Sequence, residues 1–315
     1  MTTYTSGHRE VKRPIADVFA TATAMVCRAV TDIVAASSKE WIHSTFAQLA
    51  PLQLFPSLPV EGEVDRDIPY GPQRRHRFWF RPGGPPKLPQ SILVFVRGGG
   101  FVGDDKSEPK SPLYEHIGLW AVLNGLQAFT VSYRLAPMHE WQVGGDDVSL
   151  AVEAVIKTVR EKVCEPSEVF LMGHSASAVH AAAPVTMHSP PSEIADGIRI
   201  SGVYDNNICK PNPAYFGERV DLHVQRLSLQ GLANFDFPLF LGVTEFDPDL
   251  MHSNAVTVMH KRLTSRKQCT QFVILYENNH YRPILLLNSA VDTLAARFLE
   301  FRCRHRTKHV RNGPA

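Results

Sequence analysis

The chain contains no CxxC pair, and its five cysteines (Cys27, Cys164, Cys209, Cys269 and Cys303) are scattered and odd in number. That argues against a disulfide framework and against a zinc site, and points to a reducing compartment, with the cytoplasm as the expected location. A surplus of one charge is lacking too. The 33 Lys and Arg against 31 Asp and Glu leave +2, which gives no reason to expect a nucleic-acid partner. Long apolar runs are missing: the most apolar early stretch, 15–36, is interrupted by Asp17, Arg28 and Asp32. A membrane span needs roughly 20 nearly uncharged apolar residues, so none is expected. Arg9, Lys12 and Arg13 precede this stretch as in a secretory leader. However, 18–27 is rich in Thr and Ala, and no clear small-residue cleavage site follows. An amphipathic helix lying on the domain is the expectation. No internal repeat is visible. What is present is ordinary for a soluble globular protein, with 44% apolar and 20% charged residues over 315 positions. That length suffices to bury a core without staples.

The apolar residues fall into short, continuous runs. Residues 91–96 read SILVFV and are bounded by glycine, the pattern of a strand buried on both faces. Similar runs occur at 128–133, 169–172, 198–203, 239–243 and 272–276, with a shorter candidate at 76–80. Residues 81–89 (RPGGPPKLP) read as a tight loop. Between the runs lie helical patterns, clearest over 146–163, where Val148, Ala151, Val152, Val155, Val159 and Val163 share a face. Strands alternating with helices predict an α/β fold: a mostly parallel sheet with helices on both faces. The expectation is a single domain over 1–315. Residues 1–59 and 206–237 do not fit the alternation and are expected to form a cap. Residues 302–315 are expected to be a flexible basic tail.

Residues 169–175 (VFLMGHS) run into ASAVHAAA: an apolar strand, a small-residue turn, then an Ala-rich helix. This is the context of a nucleophile elbow, which exposes Ser175 Oγ above the sheet and puts the Ala176 N–H at a helix N-terminus, where it can hold an oxyanion. Gly173 supplies one small flank of the turn, and Ser177 stands where a second glycine is usual. Strand 91–96 leads directly into Arg97, Gly98, Gly99, Gly100 and Phe101. Consecutive glycines leave N–H groups unshielded and able to wrap a developing negative charge. A serine needs a base to take its proton. Among 14 histidines, composition selects none, but chain order does: a carboxylate and then a His are expected on loops after later strands. Residues 244–249 (TEFDPD) and 277–281 (ENNHY) follow such strands. They select His280 as base and Asp247 as its orienting partner, with Glu245 and Asp249 as rivals. Asp247 is preferred because Pro248 holds the loop turned.

These segments resemble the α/β-hydrolase superfamily, in particular the hormone-sensitive-lipase-like carboxylesterases. The resemblance is carried by IPYGP (68–72), FVRGGGFVGDDKS (95–107), VSYRLAP (131–137), DDVSLAV (146–152), FLMGHSASAVHAAA (170–183), SGVYD (201–205), EFDPDLM (245–251) and NNHYRP (278–283). GHSA together with NNH is also similar to the kynurenine-formamidase-like esterases, which cleave small esters and N-formyl amides. The resemblance implies an α/β-hydrolase fold. It implies Ser175 as nucleophile, His280 as base and Asp247 as its support, with Gly98, Gly99 and Ala176 donating to the oxyanion. It implies no metal and no organic cofactor. Relatives often dimerise through a sheet edge, and the sequence carries no decisive strand signal for such a homodimer. The chain departs from the pattern in three places: Arg97 replaces the His that opens the glycine loop, Ser177 replaces the second elbow glycine, and a His-rich loop is reduced to Asn278 and Asn279 before His280.

The leading expectation is a serine hydrolase acting on a small or medium ester or acyl substrate. Amide (formamide) cleavage shares the same acyl-enzyme. Acyl transfer, or a cyclase or lyase step, would follow from the same site if the cap excluded water. A binding protein with an inert site is a third class, and fold alone does not decide among them.

Overall fold

The computed structural model describes residues 64–83, 90–103, 114–163, 165–186, 190–204, 212–219, 229–234, 236–266, 270–289 and 291–311. The expected cap segment 1–59 lies outside the described residues, as do most of the loop 81–89 and residues 104–113.

The strands are β1 (Asp65–Pro69), β2 (Arg77–Arg81), β3 (Gln90–Val96), β4 (Leu126–Val131), β5 (Pro166–His174), β6 (Ile194–Ile200), β7 (Leu239–Thr244) and β8 (Thr270–Leu275). Among the described residues they form one eight-stranded sheet in the order β1-β2-β4-β3-β5-β6-β7-β8. Only β2 pairs antiparallel with its neighbours; from β4 to β8 every pairing is parallel. The helices are α1 (Glu115–Leu123), α2 (Val143–Lys162), α3 (Ala176–Thr186), the single turn α4 (Pro213–Phe216), α5 (Leu229–Asn234), α6 (Asp249–Arg266), the single turn α7 (Arg282–Leu285) and α8 (Ala295–Arg311).

Strand β3 shows why its sequence is apolar without alternation. Ile92, Val94 and Val96 face Val148, Ala151 and Val155 of α2. Leu93 and Phe95 point to the opposite face, among Ile117 and Trp120 of α1 and Phe298 and Phe301 of α8. Both pleat directions are covered, so both must be apolar. Strand β1 (DRDIP) carried no such signal because it is a mostly exposed edge strand. The run read as 198–203 ends earlier: Ser201, at φ 51°, breaks from the extended geometry and terminates β6.

Two stretches set apart by their composition show local order. In the segment 206–237, expected as cap, the described helix α5 lies against α3. Leu232 and Phe237 pack with Ala182, Val185, Leu239, Leu241 and Val258. The contact between α5 and α3 is so close that a Cβ on Gly231 would sit 2.3 Å from Thr186 Cβ. Apolar residues at a strand-to-helix crossover are drawn to the sheet face. The expected flexible tail from 302 is helical as far as Arg311. Phe298 and Phe301 are buried, the Arg302 guanidinium lies over the Phe170 ring at 5.9 Å, and its Nη1 donates to Asn124 O at 3.0 Å. A basic composition does not prevent order when one stripe of the helix can be buried.

Strand β4 leads into a turn that is fastened to α2 by Asp147. Its carboxylate accepts from the Arg134 N–H at 2.9 Å and from Arg134 Nη2 at 2.7 Å, and His76 Nε2 lies 3.0 Å away. Parallel strands all end on one rim, and the loops leaving that rim from β3, β5, β6, β7 and β8 build the site.

Candidate active site

Ser175 sits directly between β5 and α3 at φ 58°. This left-handed geometry costs an L-residue of order 1 kcal/mol. The surroundings enforce it: Ser175 N–H donates to Ile200 O at 2.9 Å, and Ser175 O accepts from Ala178 N at 3.0 Å. Gly173 is required by space, since a Cβ there would lie 2.5 Å from Ser177 O. Ser177 does more than replace a glycine. Its buried hydroxyl accepts from His174 N–H at 2.9 Å and lies 2.6 Å from Val96 O. It therefore forms a rung between β5 and β3, just where the strands give way to the elbow and the glycine loop.

The glycine loop passes close to the elbow. A Cβ on Gly98 would come within 3.1 Å of His174 O and 3.7 Å of Ser175 Cβ, and Gly99 adopts φ 125°, a backbone that favours glycine. Phe101 anchors the loop by stacking on Tyr215 at 4.4 Å between ring centres and meeting Phe216 edge-on at 5.4 Å. Asn212 Nδ2 donates to Gly100 O at 3.0 Å. So α4, from the first half of the expected cap segment, steadies the loop. Arg97 is wholly buried, and its carbonyl accepts from Tyr133 Oη at 3.1 Å. One helical turn from Ser175, Val179 lines a small, shallow recess with Trp141, Gln142, Gly145, His180, Ala183 and Tyr215.

His280 and Asp247 come from the loops after β8 and β7. His280 Nε2 lies 2.9 Å from Ser175 Oγ, and His280 Nδ1 lies 2.8 Å from Asp247 Oδ1. The Asp247 side chain is fully buried and that of His280 is 13% exposed. The other Asp247 oxygen accepts from Ser201 Oγ at 2.5 Å and from Thr244 N–H at 2.7 Å. Burial by itself would raise the Asp247 pKa. The hydrogen bond and charge of His280, with the Ser201 and Thr244 donors, outweigh it and hold the carboxyl below the usual carboxylate range. The rivals are elsewhere: Glu245 is exposed and accepts from Glu277 N–H at 2.7 Å, and Asp249 is exposed in the first turn of α6.

Two neighbours escaped the sequence reading. Ser201 follows β6 on the same rim, where the sequence reads it as part of the strand run 198–203. His174 is buried beside the nucleophile, with its Nε2 2.7 Å from His280 O and its ring 4.7 Å from the His280 ring. Burial, reinforced by the neighbouring His280, pushes its pKa down to about 3. Among the described residues, no group of three or more His, Cys, Asp or Glu gathers as a metal site, and no helix is long and apolar enough to cross a membrane.

Residues 93–208 match a family described as having the alpha/beta hydrolase fold. None of the curated proteins matches the chain. Solved structures resemble it at low identity. Esterase B from Lactobacillus rhamnosis is 11% identical, over 92% of this chain and 98% of that one, with a TM-score of 0.65. An arylesterase is 13% identical over 92% and 98%, with a TM-score of 0.63. An esterase from the bacterial hormone-sensitive lipase family is 17% identical over 90% and 98%, with a TM-score of 0.60. Motif-bearing sequence and sheet order meet in one conclusion: this chain has the α/β-hydrolase fold.

Proposed function

We propose that the protein is a serine hydrolase that cleaves a small or medium carboxylic ester through an acyl-enzyme. The observation that carries this reading is the relay from Ser175 Oγ to His280 Nε2 at 2.9 Å and from His280 Nδ1 to Asp247 at 2.8 Å. In this mechanism His280 accepts the Ser175 proton as Oγ attacks the acyl carbon. Asp247 accepts from Nδ1–H, fixing the tautomer and stabilising the imidazolium. The oxyanion is held by the N–H groups of Gly98, Gly99 and Ala176, the last at the positive end of α3. The C–O bond then breaks, and His280 gives its proton to the departing alkoxide. Water repeats the sequence: it attacks the acyl carbon, His280 takes its proton, and Ser175 leaves with that proton as the acid departs. Removal of one oxyanion donor from such a site costs about 10²–10³ in kcat, so the close pass of the glycine loop over the elbow belongs to this reading. A reducing compartment such as the cytoplasm suits the free, exposed Cys303.

The test is fluorophosphonate labelling with 4-nitrophenyl acetate turnover, comparing wild type with Ser175→Ala. Both signals present in wild type and lost in the variant support the reading. A folded wild-type protein that neither labels nor turns over the ester overturns it.

A further inference from the structure

His280 has far to reach. Its loop leaves β8, the outermost strand, whereas Ser175 leaves β5, three places away with β6 and β7 between. At ~4.8 Å per strand that is about 14 Å across the rim. The base loop must therefore be held over the sheet, and a shift of about 1 Å in a reacting group can cost 10²-fold in rate.

Several contacts shape that loop from its own side. Asn278 O accepts from Phe246 N–H at 3.2 Å, and Asn279 Oδ1 accepts from Arg282 N–H at 3.0 Å. These fix its fold and its relation to the β7 loop. The link to the nucleophile's own strand is His174. Its Nε2 lies 2.7 Å from the His280 carbonyl oxygen. A carbonyl can only accept, so Nε2 must carry the hydrogen, which fixes the tautomer of His174. The His174 backbone is itself secured, its N–H donating to Ser177 Oγ at 2.9 Å. The two imidazoles also lie face-inclined at 39°, with centres 4.7 Å apart.

We propose that His174 is a positioning residue. Its Nε2–H, donated to the main chain of His280, sets the base at hydrogen-bonding distance from Ser175 Oγ. It touches neither substrate nor the transferred proton in this role. Because the nucleophile and this donor are adjacent residues, the elbow that aims Ser175 also aims the base. The inference rests on the ester-hydrolase reading above.

The test compares His174→Leu, which keeps bulk but has no donor, with His174→Gln, whose side-chain amide reaches to about the place of Nε2. Fluorophosphonate labelling rates and 4-nitrophenyl acetate kinetics are measured beside thermal unfolding. His174→Leu is expected to lower kcat and the labelling rate about 10- to 100-fold, with KM within about twofold because substrate contacts are untouched. His174→Gln is expected to recover most of that loss. The low-field NMR signal of the His280 Nδ1–H proton should shift or broaden in His174→Leu and return in His174→Gln. If the Leu variant does not fold, His174→Asn, whose amide is too short to reach, takes its place against His174→Gln. The proposal is overturned if the donor-less variant keeps wild-type kcat, or if the Gln variant is as slow as the variant without a donor at equal thermal stability. A wild type that fails to label would instead sink the hydrolase reading itself, which separates the two failures.

Discussion

Two buried aspartates, 100 positions apart, are built in nearly the same way and, on the proposed function, set to different work. Asp147 accepts from the Arg134 main chain and guanidinium, with His76 Nε2 3.0 Å away. Asp247 accepts from the Thr244 main chain, the Ser201 hydroxyl and His280 Nδ1. In each case burial alone would raise the carboxyl pKa, and the partners outweigh it and hold the pKa low. What differs is the principal partner. A guanidinium stays charged, so Asp147 makes a static clamp between the β4 turn and α2. An imidazole gains and loses a proton near neutrality, so a carboxylate behind it can follow a reaction. Burial and low pKa are common to clamp and machine; a partner that can change its charge, with a nucleophile on its far side, separates them.

Asp247→Asn should break that contrast most severely. The amide can still occupy the site but can offer an N–H to Nδ1, favouring the wrong tautomer. A fall in kcat of about 10⁴ is expected with the fold intact, read as 4-nitrophenyl acetate turnover beside thermal melting. Asp147→Asn should do the reverse, costing stability before chemistry. Breaking one side of a buried pair costs about 3 kcal/mol, which urea unfolding will measure. The same variant gives the pH test. The folded-state pKa of Asp147 lies below its ordinary value of 3.8, so its contribution is fully present above that value and is lost as pH falls through the lower folded value. The stability gap between wild type and Asp147→Asn should therefore narrow as pH drops below 3.8; a gap that stays constant contradicts the clamp. Ser201→Ala is the mildest change. It removes one charge-assisted donor to Asp247 and should lower kcat about tenfold with KM little altered. An unchanged kcat would mean that Thr244 and His280 suffice to orient the carboxylate.

The runs read as strands were legible because a sheet covered on both faces demands uninterrupted apolar residues, as at Ile92–Val96. The mostly exposed edge strand β1 had no such demand and left no trace. The two segments read as irregular or frayed, 206–237 and 302–315, were judged on polar composition. Part of each is held by buried side chains, Leu232 and Phe237 in one and Arg302 in the other. The residues chosen as Ser175, Asp247 and His280 could be named in advance because each stands just past a strand on a single rim, and chain order fixes which strand. The contributions of Ser201, Ser177 and His174 could not. Their partners, Asp247, Val96 and His280, lie 46, 81 and 106 positions away in the chain.

The sequence by itself therefore determined the alternation of buried strands and helices, the small residues that permit the elbow, and which side chains stand at the strand ends. These are local properties, set by hydrophobic pattern and backbone sterics. Only the tertiary structure decided which hydroxyl would join β3 to β5 and which donor would meet the base loop. Those outcomes depend on strand order and on loops crossing the rim, and a hydrogen bond between residues carried by strands about 14 Å apart has no local signature.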